Sequence, residues 1–422
     1  VGYGVTGNSA VNPYQTAGSV TSTYASIPFG VGNVSSNTIG TKTNIMPNYS
    51  LGWEKTSSLN VGVDFGVLEN RISGSVEYYI AKTSDLLMNQ SIPVITGYAQ
   101  ILNNVGKTEN RGFEVSLSTV NVKTKDFTWQ TDWTFSLNNE KIKELAGGAT
   151  YDSTGPWMVG EPLNSFYDFQ YDRIWQNTQE DNHLMDVYRS LGLTFLPGQY
   201  KIVDQPLVEV PQGTEGSKTV EIKDAAGNKT GEVVSYMDNG FGKFDDNDKK
   251  IYNKSPKWTG GINNSFTYKN WNLSFMFIAK LGHKYRKDVF QGSNINNRHV
   301  GERWQKPGDE ANTIYPVYKS WNMDMFYFPF CDVNMGNASY LKLRDVTLAY
   351  KFNEPLISKI GMSDARIYLQ ARNLFRITAK DCDIDPEAME MNTSNGMAAS
   401  TNSGYSILPL NPEFYIGVSF SF

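Results

Sequence analysis

The sequence predicts an all-β protein, an antiparallel transmembrane β-barrel, on three observations. The final stretch of the chain alternates between apolar and polar residues up to position 422. Several earlier stretches show the same period of two and form hairpin-like pairs. The connections between them alternate between short and long, as in outer-membrane barrels with short periplasmic turns and long external loops.

The last stretch, 413–422, is the clearest strand. One of its faces is wholly apolar, whereas the other carries glycine, serine and tyrosine. The apolar residues are Phe414, Ile416, Val418, Phe420 and Phe422. A soluble sandwich rarely ends on such an edge, because unpaired backbone and apolar side chains promote aggregation. In a membrane barrel, the apolar face meets lipid.

Composition excludes several classes of protein. The formal net charge is -5, so no basic surplus indicates nucleic-acid binding. The sequence has no run of about 18 apolar residues, which excludes a transmembrane helix but not barrel strands, since these are only half apolar. The chain opens without a signal peptide, and we expect that the start of an exported protein is missing from it.

Period-two alternation predicts the strands in chain order. The first hairpin covers 59–80, with a turn at 68–70, and the second covers 113–137, with a turn at 122–125. Further strands are predicted at 1–5, 165–175, 262–268, 271–277, 341–352, 366–374 and 413–422. Long polar loops are predicted at 8–50, 89–109, 177–258, 282–338 and 375–412. Aromatic residues on the strands are predicted to face lipid or the interfacial girdles: Phe127, Trp129, Trp133 and Phe420.

The alternation of short and long connections predicts one more strand. If the chain ends in the periplasm, the turns at 68–70 and 122–125 are periplasmic only when an extra strand lies within 177–258. Candidates are 199–203 or one arm of 219–237, and the total is then about twelve strands. The alternative is that 177–258 holds only a loop and that one turn breaks the short-turn rule.

A series of short motifs runs along the whole chain. They are Gly4-Val5-Thr6-Gly7-Asn8, Trp53-Glu54-Lys55-Thr56, Asn104-Val105-Gly106, Asn110-Arg111-Gly112-Phe113-Glu114, Leu343-Arg344-Asp345-Val346-Thr347-Leu348, Gln370-Ala371-Arg372-Asn373-Leu374 and Asp385-Pro386-Glu387. In order and spacing they resemble the C-terminal part of SusC/RagA-type TonB-dependent transporters of the Bacteroidota outer membrane. The resemblance covers residues 1–422 as one barrel portion.

The resemblance implies a fold and a function. Such transporters look like barrels of about 22 strands around a plug, so this chain is expected to supply about half of the wall, without the plug or the first strands. The remaining half of the barrel is expected in another chain or in an unlisted part of the same polypeptide. The implied activity is energised uptake of an oligosaccharide or oligopeptide under a SusD-like lipoprotein lid, driven by TonB-ExbB-ExbD through the plug.

Two other classes remain open on the sequence. A passive porin or adhesin-like barrel has the same strand pattern but no plug. A soluble all-β binding protein is less favoured, because it predicts polar residues on both sheet faces at the height of the membrane belt, contrary to 127–137. An outer-membrane hydrolase is not supported, since the three histidines fall in loops and no Gly-x-Ser-x-Gly motif occurs.

Aromatic residues of the external loops are the candidate substrate contacts. Aromatic faces stack on sugar rings, and neighbouring amides and carboxylates bind hydroxyl or peptide groups. The candidates are Tyr98, Trp157, Trp304, Trp321, Tyr327 and Phe328. The structural alternative is that these rings belong to the interfacial girdles or pack the loops.

The acidic, glycine-rich segment 238–248 is a candidate Ca²⁺ site. Asp238, Asp245 and Asp248 offer hard oxygen ligands at short spacing. The resembled family often carries a tighter calcium-like loop here, but Phe241 stands where it would have an aspartate. An Asx-rich turn is therefore the favoured alternative. Cys331 and Cys382 fall in neighbouring loops, where two free thiols are the default and a disulfide is the alternative.

Overall fold

The structure is a computed structural model of the chain. It describes residues 1–9, 14–26, 37–98, 100–152, 157–203, 208–224, 226–237, 248–287, 290–291, 294–295, 301–317, 330–382, 384–391 and 409–422.

The first part of the chain is built of strands. These are β1 (Gly2–Asn8), β2 (Ser19–Ser26), β3 (Asn37–Met46), β4 (Glu54–Val67), β5 (Ile72–Ser91), β6 (Gln100–Lys123), β7 (Phe127–Glu144), β8 (Tyr151–Asp152), β9 (Trp157–Met158), β10 (Ser165–Phe169) and β11 (Tyr171–Ile174). Short 3-10 turns lie at Gln15–Ala17, Val94–Thr96 and Ala146–Gly148.

The second part begins with a helix and returns to strands. Its elements are α1 (Gln179–Ser190), β12 (Tyr200–Ile202), β13 (Val208–Val210), β14 (Lys218–Lys223), β15 (Lys229–Met237), β16 (Lys249–Asn253), β17 (Trp258–Tyr268), β18 (Trp271–Leu281), β19 (Lys284–Arg286), β20 (Phe290–Gln291), β21 (Asn294–Ile295), β22 (Met335–Asn337), β23 (Tyr340–Lys351), α2 (Glu354–Ile357), β24 (Asp364–Thr378), α3 (Pro386–Met391) and β25 (Glu413–Ser421). Further 3-10 turns lie at Asp309–Ala311, Asp332–Asn334 and Ser358–Ile360.

One large sheet of 12 strands dominates the described residues, which confirms the predicted all-β class and strand number. Ten of these strands form one continuous antiparallel path, in the order β1-β4-β5-β6-β7-β17-β18-β23-β24-β25. The β2–β3 hairpin joins the sheet through a short parallel pairing of β3 with β6. This ten-strand path is a section of barrel wall, and it does not close on itself among the described residues.

The two faces of the wall differ in chemistry, and the register shows why. Val61 stands opposite Tyr78, Tyr78 opposite Phe113, and Phe113 opposite Leu137, so apolar side chains line up across the strands. In β25 the same face leaves Ile416 76% exposed, as lipid contact requires. The neighbouring positions carry serine, threonine, asparagine and charged residues and form the inner face.

Tyrosine rings on the inner face lie over glycines of the next strand. Tyr79 stands opposite Gly112, and a Cβ at Gly112 would come within 2.2 Å of the Tyr79 ring. The Tyr79 hydroxyl reaches on to Asn138 Oδ1, 3.2 Å away on β7. Tyr368 lies over Gly417 in the same way. These rings therefore lie along the wall.

The predicted extra wall strand within 177–258 is wrong for the described residues. There β12, β14 and β15 belong to small separate sheets, and β7 pairs directly with β17. The strand predicted at 165–175 is also outside the wall, since β10 pairs with β16 and β11 with β12. The reason is burial on both faces: Phe166 and Phe169 are both buried although they differ in parity. The chain from 145 to 257 therefore connects β7 to β17 at the end of the wall opposite the short turns, as expected if all short turns are periplasmic.

Strands lie within the predicted loops at 8–50, 89–109, 177–258 and 282–338. Residues 8–50 hold β2 and β3, and the loop predicted at 89–109 shrinks to the connection between β5 and β6. The external ends of β5 and β6 hold adjacent apolar residues, as at Leu86-Leu87 and Ile101-Leu102, and β5 is irregular there, so no period-two pattern marks them. No helix among the described residues has the length and apolar character needed to cross a membrane.

Candidate functional site

A groove of about 500 Å³ runs along the inner face of the wall. Its floor includes a row of side chains in register across five strands: Glu77, Glu114, Ser136, Thr259 and Lys280. Asn60 donates a hydrogen bond to Glu77, at 3.0 Å. Two carboxylates therefore lie at one end of the row and an ammonium group at the other, with hydroxyl groups between.

Carboxylates surrounded by amides and hydroxyls continue the polar lining on both sides of the groove. Asp132 accepts hydrogen bonds from Ser118 at 2.7 Å and from Gln130 at 3.3 Å. Asp345 accepts one from Thr347 at 2.9 Å and also binds the Gln370 amide. These groups are the kind that bind hydroxyl and peptide groups of a ligand.

An ion-pair cluster fixes the loop after β24 to the wall. Glu387, at the start of α3, binds both Lys342 and Arg344 of β23. Asp385 accepts hydrogen bonds from Arg376 and from the Leu410 backbone amide, both at 3.0 Å. The Lys342 side chain is only 2% exposed, so this loop covers the inner face near the external end of the wall.

The long connection between β7 and β17 folds around its own helix. Thr178 caps α1 by accepting a hydrogen bond from the Asp181 amide, at 3.2 Å. The buried Asp181 carboxylate binds Lys201 at 3.0 Å and Arg173 at 2.9 Å. Burial opposes ionisation of Asp181, but the Gln176 amide and these two cations hold its pKa below the ordinary value. The helix is therefore held to β11 and β12 by charge as well as by packing.

An aromatic cluster completes this external unit. Trp175, Tyr188 and Phe195 pack together, with ring centroids 5.3 to 6.0 Å apart. The Lys201 ammonium group lies 4.6 Å from the centre of the Trp175 ring. The external connection is thus a small packed unit with a core of its own.

A buried arginine clamp joins this unit to the loop after β18. Arg286 donates from Nε to Asp168 at 3.1 Å and makes a second bond from Nη2. Its guanidinium lies 4.6 Å from the Phe166 ring centre and 4.8 Å from that of Phe330. Burial raises the pKa of Asp168, and Arg286 and Lys249 oppose that shift. The clamp connects two external loops that are 118 residues apart in sequence.

The comparison with protein families decides the identity of this wall. The family described as TonB dependent receptor-like, beta-barrel matches residues 11–374. The chain belongs to this TonB-dependent receptor family. The resemblance found from the motifs is therefore confirmed, and with it the outer-membrane location.

Individual TonB-dependent receptors are similar over most of the chain. TonB-dependent receptor P3 of Formosa agariphila is 26% identical over 100% of this chain and 39% of its own length. TonB-dependent receptor SusC of Bacteroides thetaiotaomicron is 28% identical over 92% of this chain and 35% of its own. A solved structure of the RagAB peptide transporter is 25% identical, with a TM-score of 0.68, and covers 100% of this chain and 40% of that one. The chain therefore spans less than half the length of the TonB-dependent receptors it matches.

The described aromatic candidates lie in three different environments. Trp304 donates from Nε1 to Glu310 at 2.9 Å, and its ring covers Gly198, where a Cβ would come within 2.3 Å. Trp157 packs against the cluster around Ile142. Tyr98 is half-buried in the short β5–β6 connection, where its backbone amide lies 3.4 Å from the Thr96 hydroxyl. The other candidates, Trp321, Tyr327 and Phe328, lie outside the described residues.

The proposed Ca²⁺ ligands are only partly described. Asp238 and Asp245 lie outside the described residues, whereas Asp248 is fully buried at the start of β16. Among the described residues, no three His, Cys, Asp or Glu side chains form a group that could hold a metal ion. Calcium binding by 238–248 stays a prediction.

Cys331 and Cys382 do not form a disulfide, as the default expectation held. Cys331 is buried with Phe169 and Tyr200, whereas Cys382 Sγ lies 3.6 Å from the Ile384 carbonyl oxygen. The two side chains therefore belong to different packing environments.

The inner-face row and the arginine clamp were missed by the sequence reasoning. The row had a signal, because Glu77 and Glu114 fall on the polar face of two strands already identified. The clamp had none, since its partners come from distant loops. The polar residues at alternate positions of these strands therefore predict the groove.

Proposed function

We propose that the chain supplies wall and binding surface to an energised outer-membrane importer of oligosaccharides or oligopeptides. Residues 1–422 would act as one barrel portion, C-terminal in a longer protein. The observation that carries the proposal is the groove on the inner face of the wall, where a row of charged and hydroxyl side chains lies among apolar ones such as Met276 and Ile278. External loops lie at one end of that wall. The arginine clamp joins two of them, and the ion pairs of α3 hold a third to the wall.

The groove chemistry suits both substrate classes, in different ways. Hydroxyl, amide and carboxylate groups bind the hydroxyls of a glycan or the amides of a peptide. The charges at the ends of the row add a feature specific to peptides. Glu114 and Lys280 are separated by three strand spacings, about 14 Å, which matches about four residues of extended chain. A peptide could place its amino group at Glu114 and its carboxylate at Lys280.

External aromatic residues would complete the binding surface. Trp304 is the best supported of them, because its indole is fixed by Glu310 and by the glycine beneath it. Tyr98, Trp157, Trp321, Tyr327 and Phe328 remain proposed contacts. We further propose Ca²⁺ binding by Asp238, Asp245 and Asp248 as a support for the external unit.

Family membership and partial length support four proposed partners. A SusD-like surface lipoprotein would cover the external loops, and the rest of the barrel and a plug would come from the part of the relatives that this chain does not match. TonB-ExbB-ExbD would act on that plug. The outer face from β4 to β25 would contact outer-membrane lipid.

Uptake by intact cells tests the proposal. Cells expressing the full-length transporter are given labelled tetrapeptide or labelled tetrasaccharide, with and without a protonophore. Energised import predicts accumulation of one substrate that stops when the proton gradient collapses. Accumulation that continues unchanged would identify a passive barrel and refute the energised mechanism.

Variants at the ends of the row separate the two substrate classes. Glu114→Gln and Lys280→Gln should each lower peptide uptake at least tenfold, because each removes a charge-assisted contact of about 1.5–3 kcal/mol. Uptake of a neutral glycan should change little. Lys125→Gln, in the periplasmic turn between β6 and β7, removes a charge at the opposite end of the wall and serves as the matched control. Equal losses in all three variants would refute the binding role of the row.

A further inference from the structure

A cluster of basic residues lies on the outer face of the wall, at the external ends of β5, β6 and β7. The register places Lys82 opposite Glu109 and Glu109 opposite Lys141. Two residues further along β6, Arg111 stands opposite Asn139. A bulge in β7 adds Lys143, whose ammonium group lies 3.2 Å from Glu109. We call Lys82, Glu109, Arg111, Lys141 and Lys143 the basic patch.

The basic patch shares its face with the lipid-contacting residues. In a strand, every second side chain points to the same side, so Glu109 and Arg111 are on the side of Phe113. Phe113 stands opposite Tyr78 and Leu137, which belong to the apolar face. The patch therefore begins directly above the apolar belt, on the side of the long external connections, where the outer leaflet has its head groups.

The basic patch has a surplus of positive charge. Four cations surround one carboxylate, giving a net charge of about +3 near neutral pH. Glu109 is 8% exposed and lies 3.0 Å from Arg111 and 3.9 Å from Lys82. The cationic side chains remain accessible, with Arg111 52% and Lys82 64% exposed. One carboxylate thus holds the cations close together without neutralising them.

The side chains also enclose a small cavity. It has a volume of about 190 Å³ and is lined by Glu109, Arg111, Asn139, Lys141 and Lys143. Arginine and lysine donors around a concave space are the arrangement that binds a phosphate group. The Asn139 amide provides a further donor at its edge.

We propose that the basic patch binds the phosphorylated head group of an outer-leaflet lipid. Its anionic group would enter the cavity beside Arg111 and Lys143, while its acyl chains lie on the apolar belt around Phe113. Positive charge at head-group height favours anionic lipids over neutral ones. A lipid is favoured over a soluble phosphate compound because the cavity adjoins the surface that already contacts acyl chains.

Native mass spectrometry of the full-length transporter in mild detergent tests this proposal. The probes are monophosphoryl lipid A, its dephosphorylated counterpart and inorganic phosphate. We expect retention of the phosphorylated lipid and much weaker retention of the dephosphorylated one. Equal retention of both lipids, or binding of inorganic phosphate as tightly as the phosphorylated lipid, would overturn the proposal.

A pair of variants tests the assignment to these residues. The double substitution Lys82→Gln and Lys141→Gln keeps both short ion pairs of Glu109, so the strands should stay folded. Each cation near a head group contributes about fivefold in affinity, and the double variant should therefore bind about 25-fold more weakly.

The matched control carries the same charge change at the opposite membrane surface. Lys123→Gln with Lys125→Gln alters the periplasmic end of the same β6–β7 hairpin, where both side chains are exposed. Binding of the phosphorylated lipid should be unchanged in this control. A similar loss in both double variants would show that overall charge, and not the basic patch, determines binding.

Discussion

Replacing Arg286 with alanine should open the external loops while leaving the barrel wall intact. The substitution removes both hydrogen bonds to Asp168 and the cation between Phe166 and Phe330. The Asp168 side chain is 1% exposed, so its carboxylate would remain buried without its main counter-charge. Breaking a buried pair in this way costs about 3–5 kcal/mol.

This cost translates into a measurable opening of the loops. Each 1.4 kcal/mol is a factor of ten, so amide hydrogen exchange in β10 and β19 should accelerate on the order of 10²- to 10³-fold. The acceleration cannot exceed the value set by the free energy of local opening of these loops in the unsubstituted protein. Exchange in β17 and β24 should not change, because wall strands are held by ladder hydrogen bonds.

Two further variants test whether the buried charge of Asp168 causes the effect. Asp168→Asn combined with Arg286→Met leaves no buried unpaired charge, and should accelerate exchange less than Arg286→Ala alone. Arg366→Ala, near the periplasmic end of β24, controls for the loss of an arginine. If Arg286→Ala accelerates exchange in wall and loops alike, or in neither, then the clamp does not hold the two loops together.

Three other predictions concern the wall, the loop after β24 and pH. Ile416→Arg should lower the free energy of unfolding from lipid bilayers by about 2–4 kcal/mol, because it places a charge on the lipid-facing side. Ser419→Arg, on the inner face, should lower it much less. Glu387→Gln should accelerate hydrogen exchange across α3, because Lys342 and Arg344 lose a shared carboxylate. Burial and the nearby Lys280 lower the pKa of His283 to about 4, so the unfolded state alone takes up a proton between about pH 6.5 and 4. The melting temperature of the external loops should therefore decrease as the pH drops through this window. His283→Gln should remove that part of the pH dependence.

The wall could be predicted from sequence because lipid imposes a simple rule on it. Each strand must be apolar on one face, so the hairpins at 59–80 and 113–137 were found with the correct pairing. The rule stops at the head groups. Beyond Thr83 of β5 and before Arg111 of β6 the alternation stops, because apolar residues follow one another there, as at Leu86-Leu87 and Ile101-Leu102, and the sequence predicts a loop at 89–109.

The external unit could not be predicted for a different reason. Its strands are short and buried on both faces. Phe166 and Phe169 are therefore both apolar although they point to opposite sides, and no alternation of apolar and polar residues results. The contacts that organise it join distant residues, as between Asp168 and Arg286. Loop aromatics such as Trp304 were visible as residues, but their surroundings depend on which loops meet.

The tyrosine rings over Gly112 and Gly417 have a consequence for the free space beside the inner face of the wall. A ring that lies flat on the neighbouring strand takes up little of the channel cross-section. A methyl group at Gly112 would displace the Tyr79 ring from the wall, and the free direction is toward the channel axis. The free space beside the inner face of the wall is thus set by the absence of a side chain one strand away. A single hydrogen-to-methyl change at Gly112 could narrow this space although none of the side chains that project into it is altered.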